Sequence, residues 1–296
     1  MVGKLCACGW VIAFHKWFFN LLGGDDMTHD KNAFISAFNS IAKHKHRYKV
    51  FSDFVTVSAI TLHNSVNMLD SLEQEYLTII NGYSKKERFA IAELFAMLVD
   101  LLNPEPIDIL GQLYMELEIS SKGNGQFFTP DPISQLMGSI VYGGKIELPP
   151  CGFITMSEPA CGAGGMVLAF VKEMRNQKLN PVHHLWVQCV DIDRMVALMC
   201  YIQLSLWAVP AQIIVGNTLT LEYREQFFTP VHYSFRWASK LRRQRKKLAE
   251  EKEITTPKAT NINTKTEPEK SNLPSQPKTE IVEVDEIVQL ELFDNL

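Results

Sequence analysis

Glu158-Pro159-Ala160-Cys161-Gly162-Ala163-Gly164-Gly165 decides how this chain is read. The apolar stretch before it, Phe153–Ser157, reads as a strand, and a helical pattern runs from about Met166 to Arg175 behind it. Glycine lets the backbone turn tightly and lets a ligand approach it closely. The first turn of the following helix offers N–H groups that have no partner within the helix. Strand, glycine turn and helix in that order form a small-molecule corner of an α/β sheet.

Outward from the turn, strands and helices alternate. Leu185–Val190 reads as a second strand, Met195–Leu206 as a helix and Gln212–Val215 as a third strand. This alternation predicts a parallel sheet with right-handed crossovers. Asp191 closes the second strand, where an acid holds a ribose diol in nucleotide-type sheets. Asn217 follows the third strand and belongs at the rim of the same crevice. Beyond Thr220, the alternation of Val231, Tyr233, Phe235 and Trp237 predicts one more strand. Ser239–Glu253 then reads as a basic helix beside the crevice, with Lys240, Arg242, Arg243, Arg245, Lys246 and Lys247. It is either a track for a DNA backbone or a solvated helix leading into a linker.

On the N-terminal side, residues 27–120 read as helical. Phe34, Phe38 and Ile41 recur at helical spacing, as do Phe89, Leu94, Phe95, Leu98 and Leu101. Asn103-Pro104 ends that second run, because the residue before proline disfavours the helical region. Pro106 is expected to open the next helix, through Leu110, Leu113 and Leu117. Lys43-His44-Lys45-His46-Arg47 is a short basic cluster that reads as a solvated helix end or a phosphate contact.

The termini read differently. Leu5–Leu22 is apolar, but His15 and Lys16 interrupt it and no small-residue cleavage site follows, so it fits neither a signal peptide nor a membrane span. Residues 1–26 are either an upstream extension before Met27 or a docked amphipathic helix. Residues 254–280 have the composition of a disordered linker. Residues 281–296 turn apolar again. The net charge of −4 argues against indiscriminate nucleic-acid binding by the whole molecule. Cysteines 6, 8, 151, 161, 189 and 200 lack zinc-site spacing, so no metal is expected; they read as thiols of a reducing cytoplasm.

Three readings compete at the glycine turn. A dinucleotide fingerprint places its third glycine where this chain has Val167, so an NAD-type domain fits poorly. A purely structural turn is the second. The third is S-adenosylmethionine, which has no phosphates and needs close backbone approach plus acids such as Glu158 and Asp191.

A second motif, Gly125-Gln126-Phe127-Phe128-Thr129-Pro130, precedes the first strand. With the Glu158–Gly165 turn, Asp191-Ile192-Asp193 and Gly216-Asn217-Thr218-Leu219, it resembles the adenine-N6 DNA methyltransferases, above all the methylation subunits of type I restriction–modification systems. Asp108-Ile109-Leu110-Gly111-Gln112-Leu113-Tyr114 resembles the helix that leads into that motif. The resemblance spans roughly residues 85–222. It implies a class I methyltransferase-like parallel sheet, truncated here, behind an N-terminal helical region, with the cofactor domain at 121–238. It also implies roles for single residues. Phe128, Thr129 and Pro130 line the methionine end of S-adenosylmethionine, and Glu158 accepts from its amino group. Gly162 and Gly164 permit its approach, Asp191 holds the ribose, Ile192 packs on the adenine, and Asn217 replaces a usually acidic residue at the adenine edge.

The same family carries N/D-P-P-Y/F/W after its fourth strand. The Asn or Asp side chain and a proline carbonyl hold the target amine, and the aromatic ring stacks on the flipped base. No such tetrapeptide follows Asn217, and Leu148-Pro149-Pro150 and Asn180-Pro181-Val182 fit neither the sequence nor the place. The expected function is therefore an adenine-N6 DNA methyltransferase-family protein acting on DNA, either with a second subunit that completes the sheet or with the basic helix and the N-terminal helices covering the gap. The alternative is a non-catalytic accessory or decoy subunit. Finally, Gln289-Leu290-Glu291-Leu292-Phe293 resembles the peptide that docks on the bacterial sliding clamp, with Gln289, Leu290, Leu292 and Phe293 as its contacts. That apolar tail could equally fold back over the open sheet edge.

Overall fold

The computed structural model describes residues 30–117, 129, 131–142 and 144–255. The N-terminal extension, Gly125–Phe128, Pro130, most of the linker and the clamp-like tail lie outside the described residues. The chain divides into one compact unit ending at Glu250 and another from Glu251, of which only the end of a helix is described.

Among the described residues the chain begins with the helices α1 Lys31–Ser40, α2 Arg47–Asn64, α3 Asp70–Asn81, α4 Lys85–Leu102 and α5 Ile109–Glu116. Helix α2 is buried around most of its circumference from Val50 to His63 and forms the centre of this region. Its buried Asp53 is satisfied by Lys49 Nζ at 2.6 Å and the Tyr83 hydroxyl at 2.8 Å. Helix α4 starts on a Ser84/Glu87 capping box and ends at Leu102, ahead of Asn103-Pro104 as expected. Helix α5 begins at Ile109 rather than Pro106, because the Asp108 carboxylate accepts the Gly111 N–H at 2.7 Å and caps it. Within the basic cluster, Arg47 donates to the carbonyls of Phe38, Ala42 and Lys45, and Lys45 donates to Gly82 O and lies over the Tyr83 ring. These side chains tie chain turns together.

After α6 (Asp131–Tyr142) comes the alternating region: β1 Ile154–Glu158, α7 Gly165–Asn176, α8 Pro181–His184, β2 Leu185–Asp191, α9 Arg194–Leu206, β3 Ala211–Asn217 and β4 Glu222–Phe228. The sheet order is β1-β2-β3-β4, with the first three strands parallel and β4 antiparallel to β3. The fold is mixed α/β, as the sequence implies. Among the described residues β1 is paired on one side only.

The fourth strand is not where alternation placed it. Pro230–Ser234 forms a short helix, α10, and α11 (Trp237–Thr255) follows at once. Thr229 Oγ1 bridges Val209 O and Ala211 N, fastening the end of β4 to the start of β3, and Pro230 then starts a helical turn with its fixed φ. Trp237 is fully buried while Phe235 is exposed, so the apolar alternation there has no common face.

Strand side chains divide by parity. Leu185, Val187, Cys189, Ala211, Ile213 and Val215 enter the main core. There α9, buried at every position from Met195 to Leu206, lies between the sheet and α2, α4 and α5. Each such Leu or Val contributes about 1.5–3 kcal/mol through burial. On the opposite face, Phe153, Trp186, Trp237 and Leu241 form a second cluster, with Phe153 and Trp237 edge to face at 5.0 Å. The rest of that face carries a row of amides: Gln188 donates to Gln212 at 3.1 Å, and Gln212 to Gln226 at 2.9 Å. At the other sheet edge Arg194 makes paired bonds to Glu75 of α3 and to Glu225 of β4, all at 2.8–2.9 Å.

Candidate functional site

The site lies where the parallel strands end. The turn after β1 uses two left-handed glycines, Gly162 at φ 55° and Gly164 at φ 97°. At Gly164 a side chain is excluded twice, by the backbone angle and by Cys200 Sγ only 3.0 Å from where its Cβ would stand. Cys161 N–H donates to Val190 O at 2.9 Å, and Thr218 Oγ1 donates to Pro159 O at 2.6 Å, so β2 and the β3 rim hold the turn.

Asp191 is part of that brace. Its Oδ2 accepts the Gly162 N–H at 3.0 Å and its Oδ1 accepts the Asp193 N–H at 2.9 Å. Burial pushes its carboxyl above the usual range, and these amide donors pull against that shift. Each oxygen keeps a further lone pair for a ligand hydroxyl.

A buried amide joins the turn to the helices below. Gln203 Nε2 donates to Asp108 Oδ1 and to Ala163 O, each at 2.8 Å, and its Oε1 accepts the Leu110 N–H at 3.1 Å. One side chain thus ties the start of α5, the glycine turn and α9.

These pieces enclose a cleft lined by Asp108, Thr129, Ser134, Gly162, Met166 and Asp191, among others. Its volume is about 220 Å³, somewhat below the ~300–1,000 Å³ typical of small-molecule sites. Ser134, on α6, is fully buried, and its hydroxyl has no hydrogen-bond partner. Ser134 Oγ and the Asp108 carboxylate flank Gly165, 3.4 and 3.8 Å from where a Cβ would stand. An unpaired buried hydroxyl costs free energy unless a ligand or water meets it.

Of the residues expected from sequence, Thr129, Gly162 and Asp191 line the cleft. Glu158 is half-buried and off its wall; burial pushes its carboxyl up, and the Ala160 N–H opposes that. Gly164 shapes the turn from below. Ile192 is 62% exposed next to Asp191, an apolar group with an open face. Asn217 Oδ1 accepts from the N–H groups of Leu219 and Thr220, so its amide closes a turn at the rim. Phe128 and Pro130 lie outside the described residues.

Sequence reasoning missed Asp108, Ser134 and Gln203. Two of them had a signal. Asp108 stands three residues before Gly111, in capping position, and at Gly111 a Cβ would fall 2.1 Å from the Asp108 carboxylate. Gln203 is a polar residue within the largely apolar run Met195–Leu206. The basic helix is also displaced from its expected place. The start of α11 packs through Trp237 and Leu241 on Phe153 and Trp186, and Gln244 reaches Cys151. Those contacts lie at the beginnings of β1 and β2, the opposite end of the sheet from the cleft. Arg242, Arg243, Arg245, Lys246 and Lys247 are exposed there, and Lys240 lies 4.2 Å over the Trp237 ring. Among the described residues no helix is long and apolar enough to cross a membrane.

Residues 106–265 match the family described as N-6 DNA Methylase. The chain is similar to the Type I restriction enzyme MpnII methylase subunit of Mycoplasma pneumoniae, 25% identical over 187 residues, which cover 60% of this chain and 30% of that protein. Among solved structures it is similar to the type I restriction-modification system methyltransferase subunit from Streptococcus thermophilus, at 19% identity and a TM-score of 0.30, over 56% of this chain and 38% of that one. The chain therefore spans only about a third of the length of either relative.

Proposed function

This chain belongs to the N-6 DNA methylase family, and from that premise we propose that its cleft binds S-adenosylmethionine. The observation that carries the reading is the cleft wall itself, where the glycine turn, Asp191 and the unpaired Ser134 hydroxyl meet. Asp191 takes the ribose hydroxyls on its remaining lone pairs, and the exposed face of Ile192 takes the adenine ring. Ser134 and the Asp108 carboxylate, which flank Gly165 in the cleft wall, suit the ammonium group of the methionine portion. Glu158 is less suited to that role because it stands off the wall. When bound, the cofactor supplies an electrophilic methyl group on its sulfonium.

The acceptor in this reading is the exocyclic amine of adenine in DNA. Holding a flipped base requires positioning groups that this sequence lacks, since no N/D-P-P-aromatic tetrapeptide follows Asn217. The strand that comes fourth, β4, pairs antiparallel on β3, leaving β1 paired on one side among the described residues. We therefore read the chain as a cofactor-binding subunit that methylates only with a second subunit. The same features support an accessory, non-catalytic role, and activity measurements separate the two.

The test is calorimetric titration of the chain with S-adenosylmethionine, followed by methyl transfer to adenine-containing DNA. Binding with no transfer by the chain alone is expected. Absence of binding removes the cofactor reading, and robust transfer by the chain alone removes the need for a second subunit.

A further inference from the structure

Cys161, Cys189 and Cys200 are far apart in sequence and come from three different elements, the glycine turn, β2 and α9. Their sulfur atoms all lie within 4.8 Å of one another. Cys189 and Cys200 are fully buried, while Cys161 reaches the wall of the cleft. Among the described residues no histidine nitrogen or carboxylate oxygen joins the group. Nothing in the proposed cofactor site calls for three converging thiols.

We propose that these three thiols bind one soft, thiophilic metal ion in three-coordinate sulfur geometry, with monovalent copper as the ion whose chemistry fits. Thiolate ligands select soft ions over hard ones. Closed structural zinc sites take four protein ligands, and among the described residues only these three converge. Monovalent copper accepts three sulfurs and has no need of a fourth. The ion enters from the cleft past Cys161. It replaces the protons of the thiols it binds, which leave to solvent, and no oxidation or reduction occurs. Once held, it links the glycine turn covalently to β2 and α9, so the floor of the cleft stiffens when the site is filled.

The experiment uses the full chain with Cys6→Ser, Cys8→Ser and Cys151→Ser, so that only these three thiols remain. Under anaerobic conditions it is titrated with monovalent copper against a chromophoric copper chelator, and the product is examined by X-ray absorption. One retained copper per chain with three sulfur neighbours is expected, and adding either Cys189→Ser or Cys200→Ser should abolish retention. Because those variants alter fully buried core positions, a second measurement uses the unsubstituted chain: copper should protect Cys161 from alkylation by iodoacetamide, mapped by mass spectrometry. Loss of the copper to equimolar chelator, two or fewer sulfur neighbours, or unchanged Cys161 alkylation overturns the proposal. None of these readouts involves S-adenosylmethionine, so this proposal and the cofactor reading stand or fall separately.

Discussion

The Asp191 carboxylate accepts the backbone N–H of Gly162 at 3.0 Å, so the acid that ends β2 also fastens the turn that follows β1. Two strand ends are thereby held at a fixed spacing, and the cleft between them is shaped before any ligand arrives. Such preorganisation lowers the ordering cost of binding.

Replacing Asp191 with Ala removes both the brace and the proposed ribose acceptor. A charge-assisted hydrogen bond contributes roughly 1.5–3 kcal/mol, so affinity for S-adenosylmethionine should fall by one to two orders of magnitude. Calorimetric titration checks this, and unchanged affinity would place the ligand elsewhere.

Gln203→Leu keeps the volume of the side chain and removes three hydrogen bonds inside the core. Leu110 N–H and Ala163 C=O are left without a partner, at ~1–3 kcal/mol per unpaired buried group, and the Asp108 carboxylate loses one of its donors while keeping the Gly111 N–H. A total loss of about 3 kcal/mol or more is expected in urea unfolding. A variant as stable as the parent would mean that the network is relieved in some other way.

Trp237 is the anchor of α11 and is fully buried against Phe153 and Trp186, with its indole N–H donating to Val182 O at 3.2 Å. Trp237→Ala should cost about 3–5 kcal/mol. Leu241→Ala, in the same cluster, should cost less because fewer atoms leave the core. Equal or reversed losses in denaturant unfolding would contradict this packing.

His232 lies between Trp186 and Phe228, 4% exposed, and burial pushes its pKa down to about 4 from an ordinary 6.5. The unfolded chain therefore binds more protons than the folded one between those two values. Stability is at its full level above pH 6.5 and falls as the pH drops toward 4, by up to about 3 kcal/mol. His63, also lowered by burial, acts in the same direction. His232→Phe keeps a ring in the cluster and removes the titration, so its unfolding midpoint should vary less over this range. A variant with the parent's slope would assign the dependence to other groups.

We propose DNA contact by the exposed cations of α11. Reversing Arg242, Arg243 and Arg245 to Glu should weaken DNA binding and flatten its dependence on salt, because fewer counterions are released. The helix starts at the far end of the sheet from the cleft, so affinity for S-adenosylmethionine should stay the same. An unaltered salt slope would make α11 a solvated helix only.

By itself the sequence determined the local and repeating features. Glycines 162 and 164 announce a turn whatever surrounds them, because few other residues adopt those backbone angles. Alternating apolar strands and amphipathic helices announce a parallel sheet, since each apolar face must be buried. Strands β1, β2 and β3 and helices α7 and α9 accordingly fall within one or two residues of where the pattern placed them. The glycine turn, Asp191 and Thr129, which the structure places at the cleft, were legible as candidates because family motifs are contiguous strings.

Only the tertiary structure decided what depends on distant segments meeting. Val231, Tyr233, Phe235 and Trp237 alternate like a strand, yet Thr229 and Pro230 turn the chain into helices, and Trp237 is buried by packing on residues far away in sequence. Asp108 and Gln203 are separated by 95 positions and share one hydrogen bond. Ser134 stands out only because the surrounding chain buries its hydroxyl and leaves it unpaired. The three thiols become a cluster through the convergence of a turn, a strand and a helix. Short-range patterns follow from backbone sterics and burial periodicity, which each segment carries in itself. Contacts between segments depend on the packing of the whole chain, which no single segment encodes.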